Sequence, residues 1–458
     1  MSEGRIRRVA GACMMALAAL VAAPPLTRAA ETSTLTVVSS FPPSLYEPFR
    51  AAFEAAHPQW RLRIINRKTS SAIDYVQSGR DGQLDVFWAS APDAFEVLKA
   101  SGHLAPIAAG RLDAPRQIGG FPLNDADGMY LGFALSGYGL FWNQAYFDRH
   151  GLPPPRDWRD LADPVYARHI AMSPPSRSGT MHLMVEALLQ SVGWERGWAL
   201  LQEIGGNVAT FTARSFSVVE GVARQRFGLG VTIDFLGLSY SPKYPNTRFV
   251  YPRGSLFLPA SVAVLKDAPN RAAAEAFVGF LLSARGQELL LHPDILRMPI
   301  SQSAYAQAAA GYPNPYQLAD PGGAGFDSAL SSRRYKMVNV LFDHLITYRL
   351  PLLQEVWQRI HAGEAALRER AQPEAAALLL QARQLATAMP LTAAEAEAAE
   401  LAAKLGHAAQ STALASSQVE LDAQLGRFAV EHLEQARHLA DLALERLSVP
   451  AAAAALRQ

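Results

Sequence analysis

MYLGFALSGYGLFWN, Met129 to Asn143, decides how the rest of the 458-residue chain is read. The stretch is long, aromatic and broken by Gly132, Gly137 and Gly139, so it reads as extended chain passing from one folded unit to another. Before it, strand and helix patterns alternate. LTVVSS is an apolar strand, and SLYEPFRAAFEAAHP spaces Leu45, Phe49 and Phe53 as a helix does before stopping at Pro58. WRLRIINR reads as a second strand, KTSSAIDYVQSG as a polar loop, DVFWAS as a third strand, and PDAFEVLKASG as a helix with Pro92 in its first turn and Gly102 past its end. Strands separated by helices imply a parallel sheet with crossover connections.

After the crossing the pattern repeats. HIAMS is a strand, and SPPSRSGTMH leads into a helix whose first turn holds Ser178, Gly179 and Thr180. GWERGWALLQEI and SFSVVEGVARQRF are helical, and GLGVTID is a strand. SLFLPASVAVLK then reads as extended chain returning to the first unit, followed by NRAAAEAFVGFLLSARGQELLL as one long helix. The expected class is therefore α/β with two lobes and hinge crossings, plus a C-terminal helical extension. Lobe 1 comprises residues 31–130 and 255–327, lobe 2 residues 131–254, and the extension residues 328–458. Within the extension, RRYKMVNVLFDHLITYRLPLLQEVWQRI is periodic enough to pack as helix, and Thr392 followed by Glu395 fits a capping box after Pro390. The extension reads as a hairpin or small bundle that either packs on the lobes or offers a surface to a partner.

Residues 1–30 read as an export signal, with Arg5, Arg7 and Arg8 ahead of the apolar run Val9 to Ala23 and small residues for cleavage near Ala29 or Ala30. The expected location is the periplasm. The single cysteine, Cys13, lies inside that leader, so disulfides, thiol catalysis and cysteine-ligated metal are excluded from the mature chain. A net charge of +1 without a basic stripe argues against a nucleic-acid partner. Catalytic signatures are missing: there is no G-x-S-x-G, no G-x-x-x-x-G-K-[ST] and no complete G-x-G-x-x-G. His432 and His438 are wrongly spaced to share a helical face, and His57, His103, His150 and His169 read as surface or capping groups near element ends. Neither an enzyme nor a cofactor is expected.

The sequence does supply hydroxyl-rich turns where strands end: Ser39 and Ser40, Thr69 to Ala72 with Ser70, Ala89 to Pro92 with Ser90, Ser176-Arg177-Ser178-Gly179-Thr180, and Thr232 to Asp234. Ligands of open α/β sheets bind outside the carboxyl ends of strands. Helix N-termini there present unpaired N–H groups and partial positive charge, and small hydroxyl residues let an anion approach. Capping alone needs one hydroxyl of SRSGT. Arg177 reads either as a fork for a phosphate or carboxylate or as a solvated surface arginine.

Several stretches, in order, carry a resemblance: LTVVSSFPPSLYEPFRAAFEAAHP, DVFWASAPDAFEVLKASGHLAP, GLFWNQAYFDRHGLPPPRDWRDLADPVYARHIAMSPPSRSGT, GWERGWALLQEIGGN and VVEGVARQRFGLGVTID. Residues 35–300 resemble the periplasmic solute-binding proteins of ABC importers, in the type 2 class that holds iron(III), thiamine and phosphorylated-solute binders. The continuation from RRYKMVNV looks most like the phosphoglycerate transport regulatory branch. The resemblance implies two lobes closing on one solute, with Ser39, Ser40, Thr69, Ser70 and Ser90 lining the first, Ser176, Ser178, Gly179 and Thr180 the second, and Asp234 near the hinge. Iron binders of the class usually carry two adjacent tyrosines just after the strand that ends here in TID. This sequence has Phe235 and Leu236 in that neighbourhood, which offer iron(III) no hard donor. The expected ligand is therefore a small anionic, phosphorylated organic solute, with Asp234 on one of its hydroxyl or amino groups. The expected partner is an inner-membrane ABC permease or, alternatively, a membrane sensor kinase, and the chain is taken as a monomer.

Overall fold

The computed structural model describes residues 33–79, 82–107, 113–252, 255–319, 325–398 and 412–448. The expected leader and residues 399–411, where the helix after Pro390 was expected to continue, lie outside them. The strands longer than two residues are β1 (Ser33–Ser39), β2 (Trp60–Asn66), β3 (Val86–Ala89), β4 (Leu131–Asn143), β5 (Ile170–Met172), β6 (Val208–Phe211), β7 (Leu229–Ile233), β8 (Thr247–Val250) and β9 (Phe257–Leu265). They run side by side in the order β2-β1-β3-β9-β4-β7-β5-β6, with β8 also on β4. β4 belongs to both lobes. Its first half pairs with β9, from Leu131↔Val262 to Gly137↔Phe257, and its second half pairs with β7, from Tyr138↔Ile233 to Trp142↔Leu229. The partner changes at Gly137–Tyr138, and the chain crosses back between β8 and β9.

The glycines of this strand have a packing reason. A Cβ on Gly139 would lie 2.3 Å from the Val250 carbonyl oxygen, and one on Gly137 would lie 2.7 Å from the Tyr251 ring. The pairing of β4 at the crossing requires both.

Helices cover the sheet: α1 (Pro43–Ala56), α2 (Thr69–Gln77) and α3 (Pro92–Ala100) in lobe 1, then α4 (Gly179–Val192), α5 (Trp194–Asn207), α6 (Ser215–Ala223) and α7 (Asp234–Tyr240) in lobe 2. α8 (Arg271–Leu282) and α9 (Ala284–Leu290) return to lobe 1. The lobe 1 core is aromatic. Trp88 meets Phe41 edge-on at 5.0 Å and Phe277 at 5.5 Å, geometry that adds to simple burial.

Three expectations change. KTSSAIDYVQSG is not a loop, because α2 buries Thr69, Ala72, Ile73 and Val76 on one face. The long helix after Asn270 breaks at Ser283, whose extended backbone and hydroxyl cap α9. RRYKMVNVLFDHLITYRLPLLQEVWQRI is two helices, α10 (Ser328–Leu345) and α11 (Leu350–Glu369), because Ile346 leaves helical geometry and Pro351 occupies the first turn of the next helix. α12 (Pro373–Ala386) and α13 (Thr412–Ser448) complete the extension, and Thr392 and Glu395 do form a capping box. α11, α12 and α13 pack on one another, while α10 lies against α3 of lobe 1 and α4 of lobe 2. The foot of the extension is on lobe 2: side chains of Leu353 and Trp357 fill the space that a Cβ on Gly205 or Gly206 would need.

Candidate functional site

One cleft collects residues from both lobes. Lobe 1 supplies Ser40, Phe41, Pro42, Lys68, Thr69 and Ser90. Lobe 2 supplies Arg177, Ser178, Gly179, Thr180, Arg214, Ser215, Phe216, Ile233, Phe235 and Leu236. The cavity measures about 50 Å³, room for a handful of water-sized groups.

The cleft is a convergence of helix starts. α2 begins at Thr69, α4 at Gly179 and α6 at Ser215, and only α4 has a side-chain cap: the Ser178 hydroxyl accepts from the Met181 N–H at 3.2 Å. The first turns of α2 and α6 keep N–H groups facing the cleft end without such a cap, and each adds partial positive charge. Three cations, Lys68, Arg177 and Arg214, line the same space, and no lining residue is acidic. None of the three pairs with a carboxylate among the described residues. Partial burial lowers the Arg214 guanidinium from its ordinary value, a cost that an anion beside it offsets.

The lobes meet across this cleft. Arg214 donates from Nη2 to Asn66 Oδ1 of lobe 1 at 3.0 Å, and the Ser70 hydroxyl donates to the Ser176 carbonyl at 2.8 Å. The backbone of Gly179 fits against lobe 1 so closely that a Cβ there would lie 2.7 Å from Thr69 Oγ1 and 2.9 Å from Ala91 Cβ.

The expected site residues divide accordingly. Ser40, Thr69, Ser90, Arg177, Ser178, Gly179 and Thr180 line the cleft. Ser39, Ser70, Ser176 and Asp234 do not. Ser39 is fully buried and its hydroxyl accepts from the Phe41 N–H, while Ser70 and Ser176 join the lobes to each other. Asp234, expected on a hydroxyl or amino group of the solute, does not line the cleft. It is buried at the crossing, where it accepts from the Gly137 N–H at 2.6 Å, the Phe235 N–H at 2.7 Å and the Tyr251 hydroxyl at 3.1 Å. Its oxygens clasp the two hinge strands. Burial pushes its carboxyl up to about 6, opposed by those hydrogen bonds and by Arg297.

Lys68, Arg214 and Ser215 were not singled out in the sequence, although each sits at or just before a helix start, as the chosen hydroxyls do. Arg297 carries no sequence signal either. It is fully buried, donates to Ser90 Oγ at 3.4 Å and stacks over Phe41 and Phe235 at 4.8 and 4.6 Å, with Nε and Nη2 lacking partners. Burial lowers its pKa to about 10, so it stays cationic at neutral pH one side-chain layer behind the cleft.

This two-lobed arrangement has known relatives. Residues 83–318 match the family described as bacterial extracellular solute-binding protein. The chain belongs to that family. It is 32% identical over 372 residues to the phosphoglycerate transport regulatory protein PgtC of Salmonella typhimurium, covering 79% of this chain and 87% of that one. Among solved structures, the periplasmic binding protein AfuA from Actinobacillus pleuropneumoniae, with exogenous fructose-6-phosphate bound, superposes with a TM-score of 0.63 at 18% identity. That match covers 69% of this chain and 98% of AfuA. Iron-bound HitA from Pseudomonas aeruginosa superposes with a TM-score of 0.56 at 18% identity, covering 67% of this chain and 98% of HitA. At such identities the structures share the type 2 periplasmic-binding fold alone. The solute-binding family is one of exported, non-enzymatic binding proteins that serve a membrane transporter or regulatory partner, and no described helix here is long and apolar enough to cross a membrane.

Proposed function

We propose that this protein captures a small phosphorylated organic anion of the phosphoglycerate type between its two lobes and presents the closed form to an ABC permease. The observation that carries this reading is the set of cleft-lining residues: three cations and three helix starts from both lobes around one space, with no acidic residue. A phosphate there meets Lys68 and Thr69 from lobe 1 and Arg177, Thr180, Arg214 and Ser215 from lobe 2. Contacts from both sides are what favour closure, since a ligand shifts an equilibrium only by its difference in affinity for the two states. Ser39, Ser70, Ser176 and Asp234 support this site from behind or across the lobes. The lining holds no tyrosine, histidine or carboxylate, which supports an oxyanion over iron(III). The similarity to PgtC favours phosphoglycerates within the class.

A second reading, a ligand-sensing adaptor for a membrane sensor kinase, is favoured by the extension. The match to AfuA covers 69% of this chain, whereas the alignment with the phosphoglycerate transport regulatory protein covers 79% of it and, at 372 residues, is longer than the two lobes together.

The test is a thermal-shift panel of 2- and 3-phosphoglycerate, phosphoenolpyruvate, hexose phosphates, inorganic phosphate, glycerate, thiamine and Fe(III)-citrate. A ligand well above its Kd stabilises the folded chain by about 3 kcal/mol. The phosphorylated organic acids are expected to raise Tm, and glycerate is not. Stabilisation by Fe(III)-citrate or thiamine instead would sink the proposal.

A further inference from the structure

Behind the lip of the cleft lies a buried polar junction that binding itself does not explain. It joins three parts of the chain. Asp93, in the first turn of α3, comes from lobe 1, three residues from the cleft-lining Ser90. His182, in the first turns of α4, comes from lobe 2, two residues from the cleft-lining Thr180. Ser331 and Asn339 come from α10 of the extension. Asp93, His182 and Ser331 are all 0% exposed.

The geometry is specific. Asp93 Oδ1 accepts from the Ala94 N–H at 2.9 Å within its own lobe. Its other oxygen, Oδ2, has partners only from elsewhere: the Ser331 hydroxyl at 3.1 Å and His182 Nε2 at 3.1 Å. His182 Nε2 lies 3.3 Å from the Ser331 hydroxyl, its Nδ1 lies 2.9 Å from Asn339 Oδ1, and its ring packs on Tyr335 at 4.0 Å. One turn along α4, Glu186 takes a bidentate ion pair from Arg334 at 2.6 and 2.7 Å, with side-chain exposures of 0% and 4%. Among the described residues, α10 is thus bound to lobe 2 by a buried ion pair and to lobe 1 by the Ser331–Asp93 hydrogen bond together with its packing on α3.

Were the lobes to part, Asp93 and His182 would separate, since they belong to different lobes. α10, tied to lobe 2 by the Glu186–Arg334 pair and by the packing of α11 on α5, would then carry the Ser331 hydroxyl away from Asp93 Oδ2.

We propose that α10 is a clasp that docks on both lobes only in the closed state, through the Ser331 hydroxyl, so that solute capture fixes the position of the C-terminal extension. A membrane partner that contacts the extension therefore reads whether the cleft is closed. This deepens the proposed function by naming its regulation, and rests on that reading only for the identity of the solute.

The experiment uses the full chain with Ser331→Ala and two readouts. For the first, nitroxide labels on Gln59→Cys in lobe 1 and Glu195→Cys in lobe 2 report the inter-lobe distance distribution without ligand; the mature chain has no other thiol to label. The Ser331→Ala chain is expected to lose closed population relative to its labelled parent. For the second, titration with 3-phosphoglycerate is expected to give a Kd about 10- to 150-fold higher, the fold-change of one hydrogen bond to a charged group, with the ligand-free Tm unchanged. Identical distance distributions overturn the inference, as does a Tm loss that is equal with and without ligand at unchanged Kd. A parent chain that ignores every phosphorylated probe overturns the proposed solute but leaves the distance measurement to decide the clasp.

Discussion

Gly179→Ala is the substitution whose effect follows most directly from closure. Gly179 is the first residue of α4 and does not use a left-handed backbone, so alanine meets no local strain there. Within lobe 2 the change is neutral or slightly favourable, since alanine is the better helix former. Across the cleft it is not. The new methyl group would lie 2.7 Å from Thr69 Oγ1, 2.9 Å from Thr69 Cγ2 and 2.9 Å from Ala91 Cβ. Thr69 can rotate, but the Ala91 Cβ is fixed to its backbone. Inserting a methyl into packed surroundings costs about 1–3 kcal/mol, and both clashing residues belong to lobe 1, so the cost falls on the closed state alone. Kd for 3-phosphoglycerate should rise by about 5- to 150-fold while the ligand-free chain melts at or above its parent temperature. Calorimetric titration and a melt of the ligand-free protein read the two quantities. An unchanged Kd, or a ligand-free chain that is destabilised as much as the complex, would refute the reasoning.

Other substitutions separate the remaining roles. Ser178→Ala removes both a helix cap and a cleft hydroxyl, so it should cost about 1 kcal/mol of ligand-free stability in addition to about 0.5–3 kcal/mol of binding; Thr180→Ala, which caps nothing, should affect binding only, as paired melts and titrations would reveal. Arg214→Ala should weaken 3-phosphoglycerate binding by about 1.5–3 kcal/mol, and a Kd within twofold of the parent would remove Arg214 from the site. The buried carboxyls of Asp93 and Asp234 are both raised from 3.8 to about 6, mainly by burial. Across that window the folded chain holds protons that the unfolded chain has released, so their contribution is full below the unfolded value and is lost as pH rises through about 6. Urea melts over this range should show Asp234→Asn with a shallower fall of stability than the parent, and an equal slope would show that Asp234 does not titrate there.

Much of the architecture is legible because its signals are local. The aromatic, glycine-broken run of β4 marks a strand with no single unit to belong to, and Gly137 and Gly139 make its crossing possible. α2 is hidden because its polar first turn, TSSA, reads as a loop, while its buried apolar residues, beside Thr69, are only Ala72, Ile73 and Val76. The hydroxyl turns are visible one at a time, but their convergence is not. Lys68 and Arg214 stand 146 positions apart and meet only when two lobes face each other. Asp234 is recognisable as a residue at a strand end, yet its partners Gly137 and Tyr251 come from two distant crossings, and they turn a ligand candidate into a hinge clasp. The Asp93–His182–Ser331 junction left no local trace, since a histidine inside an apolar helical run looks like any packed side chain.

The central claim is that both lobes hold a phosphate in one cleft. Isothermal titration of the purified chain with 3-phosphoglycerate, and with glycerate as the control lacking the phosphate, tests it most directly. The account predicts saturable one-to-one binding of the phosphate ester and none of glycerate at the same concentration. Equal binding of the two, or heat from neither, would contradict it.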